Sequence, residues 1–197
     1  MRRTQHDRSI STRAALVSAA RKLFAARGYQ AVPADEIVRA AGVSRGALYH
    51  HYADKQGLFR AVVEDLEREI TAEVAAALSE APDVVTGMGA AFEVFLNACL
   101  RPEVQRISLT DAPAVLGWQA WREIEAEYGL GLLTAMLAQA IEDGVFHPMP
   151  VDALARLVLA TVMEAAHFVA EADDQDAARV QVQQVLGTWF ATLVRTD

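Results

Sequence analysis

Arg45, Tyr49, His50 and His51 fall within one seven-residue stretch, and Lys55 follows shortly after. All of these side chains carry hydrogen-bond donors, and Arg and Lys carry fixed positive charge. Such a group suits an acceptor-rich partner, either phosphate oxygens or the edges of bases. Gly46 and Ala47 lie among them and are small enough to let a backbone approach a base edge, where the Ala47 methyl could meet a thymine methyl. Arg45 is long enough for a guanine edge or a phosphate. Tyr49, His50 and His51 offer donors to either. Lys55 and the amides behind Asp54 open a helix N-terminus, where anions are favoured. Tyr and His on a short helix are also common as ordinary surface or core residues, so side-chain chemistry alone leaves both readings open.

These residues need elements to hold them. At about 100° per residue, Leu48 and Tyr52 share one side of a helix over Arg45–Tyr52. Gly46, Ala47 and His50 point the opposite way, with Arg45, Tyr49 and His51 flanking them. Ser44 is a natural N-cap. A second short helix over about 34–41, with Asp35 and Glu36 in its first turn and Gly42 at its end, precedes it. Two short helices joined by a tight Gly turn make a helix-turn-helix outline, Asp35–Tyr52. Ahead of it, Leu16, Ala19, Ala20, Leu23 and Phe24 mark one face of a first helix, with Ser11 or Thr12 as its expected N-cap and Gly28 as its stop. Asp54 caps a fourth helix running to about Leu78.

The remainder keeps helical periodicity. Helices are expected over about 84–100, in part of 102–118, over 119–142 with Gly129 and Gly131 as weak points, and over 151–172 and 177–194. The segment 144–150 reads as a loop. The fold class is all-α, with about nine helices. Its domains are a head over 1–53 and a body over 54–197, with the helix 54–78 linking the two.

Composition narrows the partners. Eighteen basic and 26 acidic residues among 197 give a net charge of −8. The first 60 residues carry eleven basic and four acidic residues, a net of +7, so the rest carries −15. A basic head on an acidic body can sit on phosphate while the body stays clear of it, although a basic solvated face has the same composition. Cys99 is the sole cysteine, which excludes an internal disulfide and a multi-cysteine zinc site. No apolar stretch is expected to reach the roughly 20 residues that span a bilayer. The basic N-terminal residues lack a following apolar region, so a cytoplasmic protein is expected.

The run AARKLFAARGYQAVPADEIVRAAGVSRGALYHHYADKQGLF, Ala19–Phe59, resembles the DNA-binding head of the tetracycline-repressor (TetR) family. The matching elements are Leu23-Phe24, Gly28-Tyr29, Ile37, Ala41-Gly42-Val43-Ser44, Gly46, Leu48-Tyr49, His51-Tyr52, Lys55 and Leu58. The resemblance implies a double-stranded DNA operator as partner. It makes Ser44, Arg45, Gly46, Ala47, Tyr49, His50, His51 and Lys55 the expected contacts. Most of these would touch phosphate, with Arg45, Ala47 and His50 at base edges. Pro33 stands where the family often has Thr, so no phosphate contact is assigned to it. Thr12 and Arg13 are weaker candidates for that role. The family also implies a homodimer through the last two helices and a small-molecule effector held in the body.

For the effector, the aromatic, thioether and thiol residues Phe92, Phe95, Leu96, Cys99, Trp118, Trp121, Met136 and Met163 are candidates, with Glu164 and His167 as polar anchors. Residues at such spacing are also ordinary core. An apolar or aromatic effector is expected, and no cofactor. Glu164-x-x-His167 has the spacing of a di-iron helix pair, but no second such pair exists, so no metal site is expected. No nucleophile elbow, phosphate loop or dinucleotide fingerprint occurs, and the chain is not expected to be an enzyme. The competing reading is an all-α small-molecule-binding or catalytic bundle with an incidental basic head.

Overall fold

Glycines and short polar side chains divide the chain where the sequence reading puts most of its boundaries. The computed structural model describes residues 5–195, so Arg2 and Arg3 of the basic segment lie outside the described residues. Within them the chain forms nine helices and no strand, the expected all-α fold. Helix α1 covers Gln5–Arg27, α2 Ala34–Ala40, α3 Arg45–Tyr52, α4 Lys55–Glu80 and α5 Val84–Cys99. Helix α6 covers Pro102–Leu116, with a π-helical stretch at Gln105–Asp111. Helix α7 covers residues 118–142, with a second π stretch at Ala126–Leu130. Helix α8 covers Val151–Glu171 and α9 Gln175–Ala191.

Several caps match their sequence signals. Ser44 Oγ accepts from Ala47 N at 3.3 Å, and Asp54 Oδ1 accepts from Gly57 N at 2.7 Å. Gly28 and Gly42 end α1 and α2 at φ of 76° and 66°, the left-handed conformation that a residue without Cβ adopts most easily. Other expectations need correction. Helix α1 begins well before Ser11 and Thr12, which lie inside it. The residues ahead of them contain neither Gly nor Pro, and Asp7 suits the positive end of the helix dipole. The segment after Pro102 is one continuous helix rather than a short helix and a loop, broken only at Gly117 with φ of 85°. Helix α8 is long and apolar enough to cross a membrane, with a mean hydropathy of 1.5 over an 18-residue window, contrary to the expectation that no segment would be. The charged Asp152, Arg156 and Glu164 are spread along it and interrupt the apolar run in the sequence. Leu154, Ala155, Val158, Ala165, Ala166 and Val169 form its buried side.

The chain divides into two compact units: residues up to Glu67 together with Arg101–Arg122, and Arg68–Leu100 together with the residues from Glu123 onward. In the first unit Leu16, Ala20 and Phe24 of α1 and Ile37, Leu48, Phe59 and Val62 are all fully buried. The rings of Phe24, Tyr29 and Phe59 pack mutually, with centroids 4.9–5.6 Å apart. Residues 101–122 are fastened to this core by polar ties. Arg21 donates from Nε and Nη2 to the two oxygens of Glu103 at 3.0 and 2.7 Å. The Tyr29 amide donates to Asp111 Oδ2 at 2.7 Å, and Gln56 Nε2 to the Val115 carbonyl at 2.6 Å.

The second unit has its own core of Leu137, Ala140, Phe146, Leu154, Ala155, Val158 and Leu193. There the loop after α7 pairs with the chain end through a single antiparallel bridge, Phe146 to Val194. Glu93 of α5 is gripped by Arg179 and Gln183 of α9, and Arg179 also donates to Asn97 Oδ1 at 2.7 Å.

Glu67 sits in the first unit with an enclosed carboxyl, although the residue as a whole is only half-buried. Burial pushes that carboxyl up to about 7. The Ser108 hydroxyl beside it offsets part of the effect, though not in good hydrogen-bond geometry. Because the folded-state pKa lies above that of the unfolded chain, Glu67 favours folding fully only below pH ~4.5 and loses that contribution as pH rises through about 7. Glu67→Gln removes the ionisation. Thermal unfolding should therefore show the variant gaining on the parent between pH 5 and pH 8. An equal difference at both pH values would contradict the assignment.

Candidate nucleic-acid interface

Helix α3 has only eight residues, and two of them, Leu48 and Tyr52, are buried. The rest of its surface is what the head core leaves over. Gly46, Tyr49 and His50 are exposed, while Ala47 and His51 are half-buried. Arg45 stands at the first turn, 62% exposed, with Nη1 within 3.1 Å of Asp35 Oδ1 on α2 and Nη2 3.3 Å from the Tyr49 hydroxyl. The hydrogen bond to Tyr49, with the Asp35 charge second, raises the guanidinium pKa further and keeps it protonated. Its Cζ also lies 5.6 Å from the Tyr49 ring centroid, a cation–π contact. The rings of His50 and His51 meet edge to face at 5.0 Å. Desolvation first, then the neighbouring His50 and Arg13, lowers the pKa of His51, so near neutral pH it presents a neutral imidazole.

Arg13 reaches this surface from α1. Its guanidinium stacks 5.5 Å from the Tyr52 ring centroid, and the Tyr52 hydroxyl donates to the Arg13 carbonyl at 3.3 Å. Thr12 is half-buried beside it in sequence. The expected contacts on α1 and α3 therefore belong to one unit, with Arg13 brought to the C-terminal end of α3.

Lys55 has a role that sequence reasoning missed. Its Nζ donates to the carbonyls of Tyr29 and Val32 at 3.0 and 3.2 Å and sits 3.9 Å from the Tyr29 ring centroid. Desolvation lowers its pKa. Two of its three N–H groups thus bind the loop between α1 and α2, leaving one for an outside acceptor. The α3–α4 turn is equally constrained. A Cβ at Gly57 would lie 2.1 Å from the Tyr52 carbonyl oxygen, so only glycine allows α4 to start this close to the end of α3.

The candidate effector residues are dispersed. Trp118 and Trp121 belong to the first unit, with centroids 4.8 Å apart, Trp121 buried and Trp118 exposed. Phe92, Phe95, Leu96, Cys99, Met136, Met163, Glu164 and His167 belong to the second. Leu96 and Cys99 are buried, while Phe92, Phe95, Met136, Met163 and His167 are half-buried. Met136 lines an open groove of about 420 Å³ with Leu78, Val84 and Leu132. Glu164 is exposed and lines a different groove of about 520 Å³, between α8 and α9, away from Met136. Among the described residues no group of three or more His, Cys, Asp or Glu is placed to hold a metal ion.

Residues 16–62 match the family described as bacterial regulatory proteins, tetR family, and residues 85–193 match the tetracyclin repressor-like C-terminal domain. The transposon Tn10 TetC protein of Escherichia coli is 30% identical over 157 residues, covering 78% of each chain. The transcriptional repressor AcnR of Corynebacterium efficiens is 30% identical over 161 residues, covering 80% of this chain and 81% of its own. The crystal structure of a TetR-family transcriptional regulator from Pectobacterium atrosepticum superposes with a TM-score of 0.85 at 34% identity, over 98% of this chain and 99% of that one. AcnR is an HTH-type transcriptional repressor, and by these matches this chain belongs to the TetR family of DNA-binding transcriptional regulators.

Proposed function

We propose that the protein represses transcription as a homodimer on a pseudo-palindromic operator and is released by a small apolar or aromatic effector. The carrying observation is the surface of α3: buried Leu48 and Tyr52 fix the helix, and Arg45, Gly46, Ala47, Tyr49 and His50 are left facing outward with Arg13 beside its end. On this reading Ser44, Tyr49, His51, Lys55, Thr12 and Arg13 hold phosphates, while Arg45, Ala47 and His50 meet base edges. The protein works in the cytoplasm, where its DNA is.

The dimer reading rests on α8 and α9. Leu157, Phe168, Val180 and Val185 are 63, 49, 62 and 66% exposed, far more apolar surface than the core of one unit accounts for. A two-fold packing of these helices covers them and presents two copies of α3 to successive major grooves. The effector reading rests on the groove lined by Leu78, Val84, Leu132 and Met136, whose volume of about 420 Å³ suits a small organic molecule. Such a molecule acts only if it binds the DNA-free arrangement more tightly than the DNA-bound one.

Selection from a random duplex pool should enrich an inverted repeat with half-sites ~34–36 Å apart. Arg45→Ala should then relax preference at one position in each half-site. Enrichment of no sequence by the folded protein would overturn the reading. Val185→Asp should leave the helical content and melting of the monomer unchanged. It should give a monomer by sedimentation and weaken operator binding roughly 100-fold, because the second head no longer adds to the first. A dimer that survives this change would move the interface elsewhere. Lys55→Ala should lower stability by about 1–2 kcal/mol, since two carbonyls lose a charged donor, and should reduce the salt dependence of binding by about one phosphate contact. Chemical denaturation and a salt titration separate the two effects, and an unchanged salt slope would leave Lys55 with its structural role alone.

A further inference from the structure

Arg45 and Asp35 form a pair that stability does not explain. Their side chains are 62% and 60% exposed, and an ion pair this open to water contributes little to folding. Asp35 also places a negative charge beside the outward row of α3 donors, where it opposes the approach of phosphate. Yet both of its oxygens engage the same nitrogen, with Nη1 3.1 Å from Oδ1 and 3.3 Å from Oδ2, while the Tyr49 hydroxyl takes Nη2 at 3.3 Å. The guanidinium plane is thereby fixed at two of its three nitrogens before any partner arrives. Its Nε and a further N–H remain for a base.

We infer that Asp35 is a specificity-positioning residue: it fixes the orientation in which Arg45 meets one base and suppresses contact of that arginine with phosphate at random sites. The inference rests on the reading that α3 faces DNA, and it adds a residue that touches neither base nor phosphate. Long flexible side chains lose rotamer freedom on binding, and an arginine already oriented loses less of it. A neighbouring carboxylate also reduces the non-specific electrostatic attraction against which a specific site must compete. Asp35 thus weakens binding everywhere and strengthens discrimination at one position.

That pair of opposite signs supplies the test. The full chain, Asp35→Asn, Arg45→Ala and the double variant are each put through random-duplex selection and then competed against a scrambled duplex. Asp35→Asn should lose about tenfold in base discrimination at the position that Arg45→Ala relaxes, and at no other. It should bind scrambled duplex more tightly than the parent, and the double variant should discriminate no worse than Arg45→Ala alone. A merely structural role for Asp35 at the start of α2 would weaken both kinds of binding together and lower the melting temperature, which would overturn the inference. Retained discrimination at the Arg45 position would overturn it too, as would an Arg45→Ala variant that relaxes no position. A parent chain that selects no sequence would instead sink the regulator reading itself, and this inference with it.

Discussion

An eight-residue helix cannot stand alone in water, where isolated helices shorter than about 12–15 residues are marginal. Helix α3 exists because Leu48 and Tyr52 are buried in the core of the first unit. Everything proposed for its outer surface depends on that seat. The orientation of two side chains decides which way Arg45, Ala47 and His50 point, and the core built by Leu16, Phe24, Ile37 and Phe59 decides the orientation of those two. The Ser44 cap and the close approach at Gly57 fix the two ends. Recognition chemistry here is the part of a small helix that packing leaves over.

Polar ties extend the same logic. Lys55 satisfies two carbonyls that the turn after α1 would otherwise leave to solvent, and the Tyr52 hydroxyl satisfies another on α1. The salt bridge from Arg21 to Glu103 and the Tyr29 amide to Asp111 make residues 101–122 part of the unit that carries the head. The head is therefore not held by α1 to α4 alone. A change in the position of α6 is felt by α1 through a bidentate arginine contact, which is geometrically demanding.

What the sequence made legible was local. Gly28, Gly42, Ser44 and Asp54 act on residues within four of themselves, so their signals survive without knowledge of the fold. The wheel over Arg45–Tyr52 predicted which residues are buried because a short helix against one core has a single apolar stripe. Non-local features were not legible. The ties of Lys55 to Tyr29 and Val32 join residues 26 and 23 apart, and no pattern in either segment announces them. The start of α1 was misplaced because Ser11 and Thr12 resemble caps, and only the absence of a breaker before them argues otherwise. The candidate effector residues were chosen by side-chain type, which does not tell core from groove: Cys99 and Trp121 are buried, whereas Trp118 and Glu164 face outward.

The two π-helical stretches, Gln105–Asp111 and Ala126–Leu130, have a consequence for how these helices change over evolutionary time. A π turn accommodates an added residue through i→i+5 bonding, so side chains beyond it are rotated by roughly 100° relative to an uninterrupted α-helix. Deleting one residue at either stretch lets the backbone relax into ordinary α geometry without breaking the helix. The same deletion removes the added residue, so the apolar stripes on the two sides keep their phase. Helix α7 carries Ile124 and Leu137 on opposite sides of such a stretch, both fully buried. A single-codon loss inside the stretch would preserve both the helix and the placement of these two side chains, whereas a loss from the ordinary α turns between them would rotate one by roughly 100° away from its core, so the π stretch is where this segment can change length.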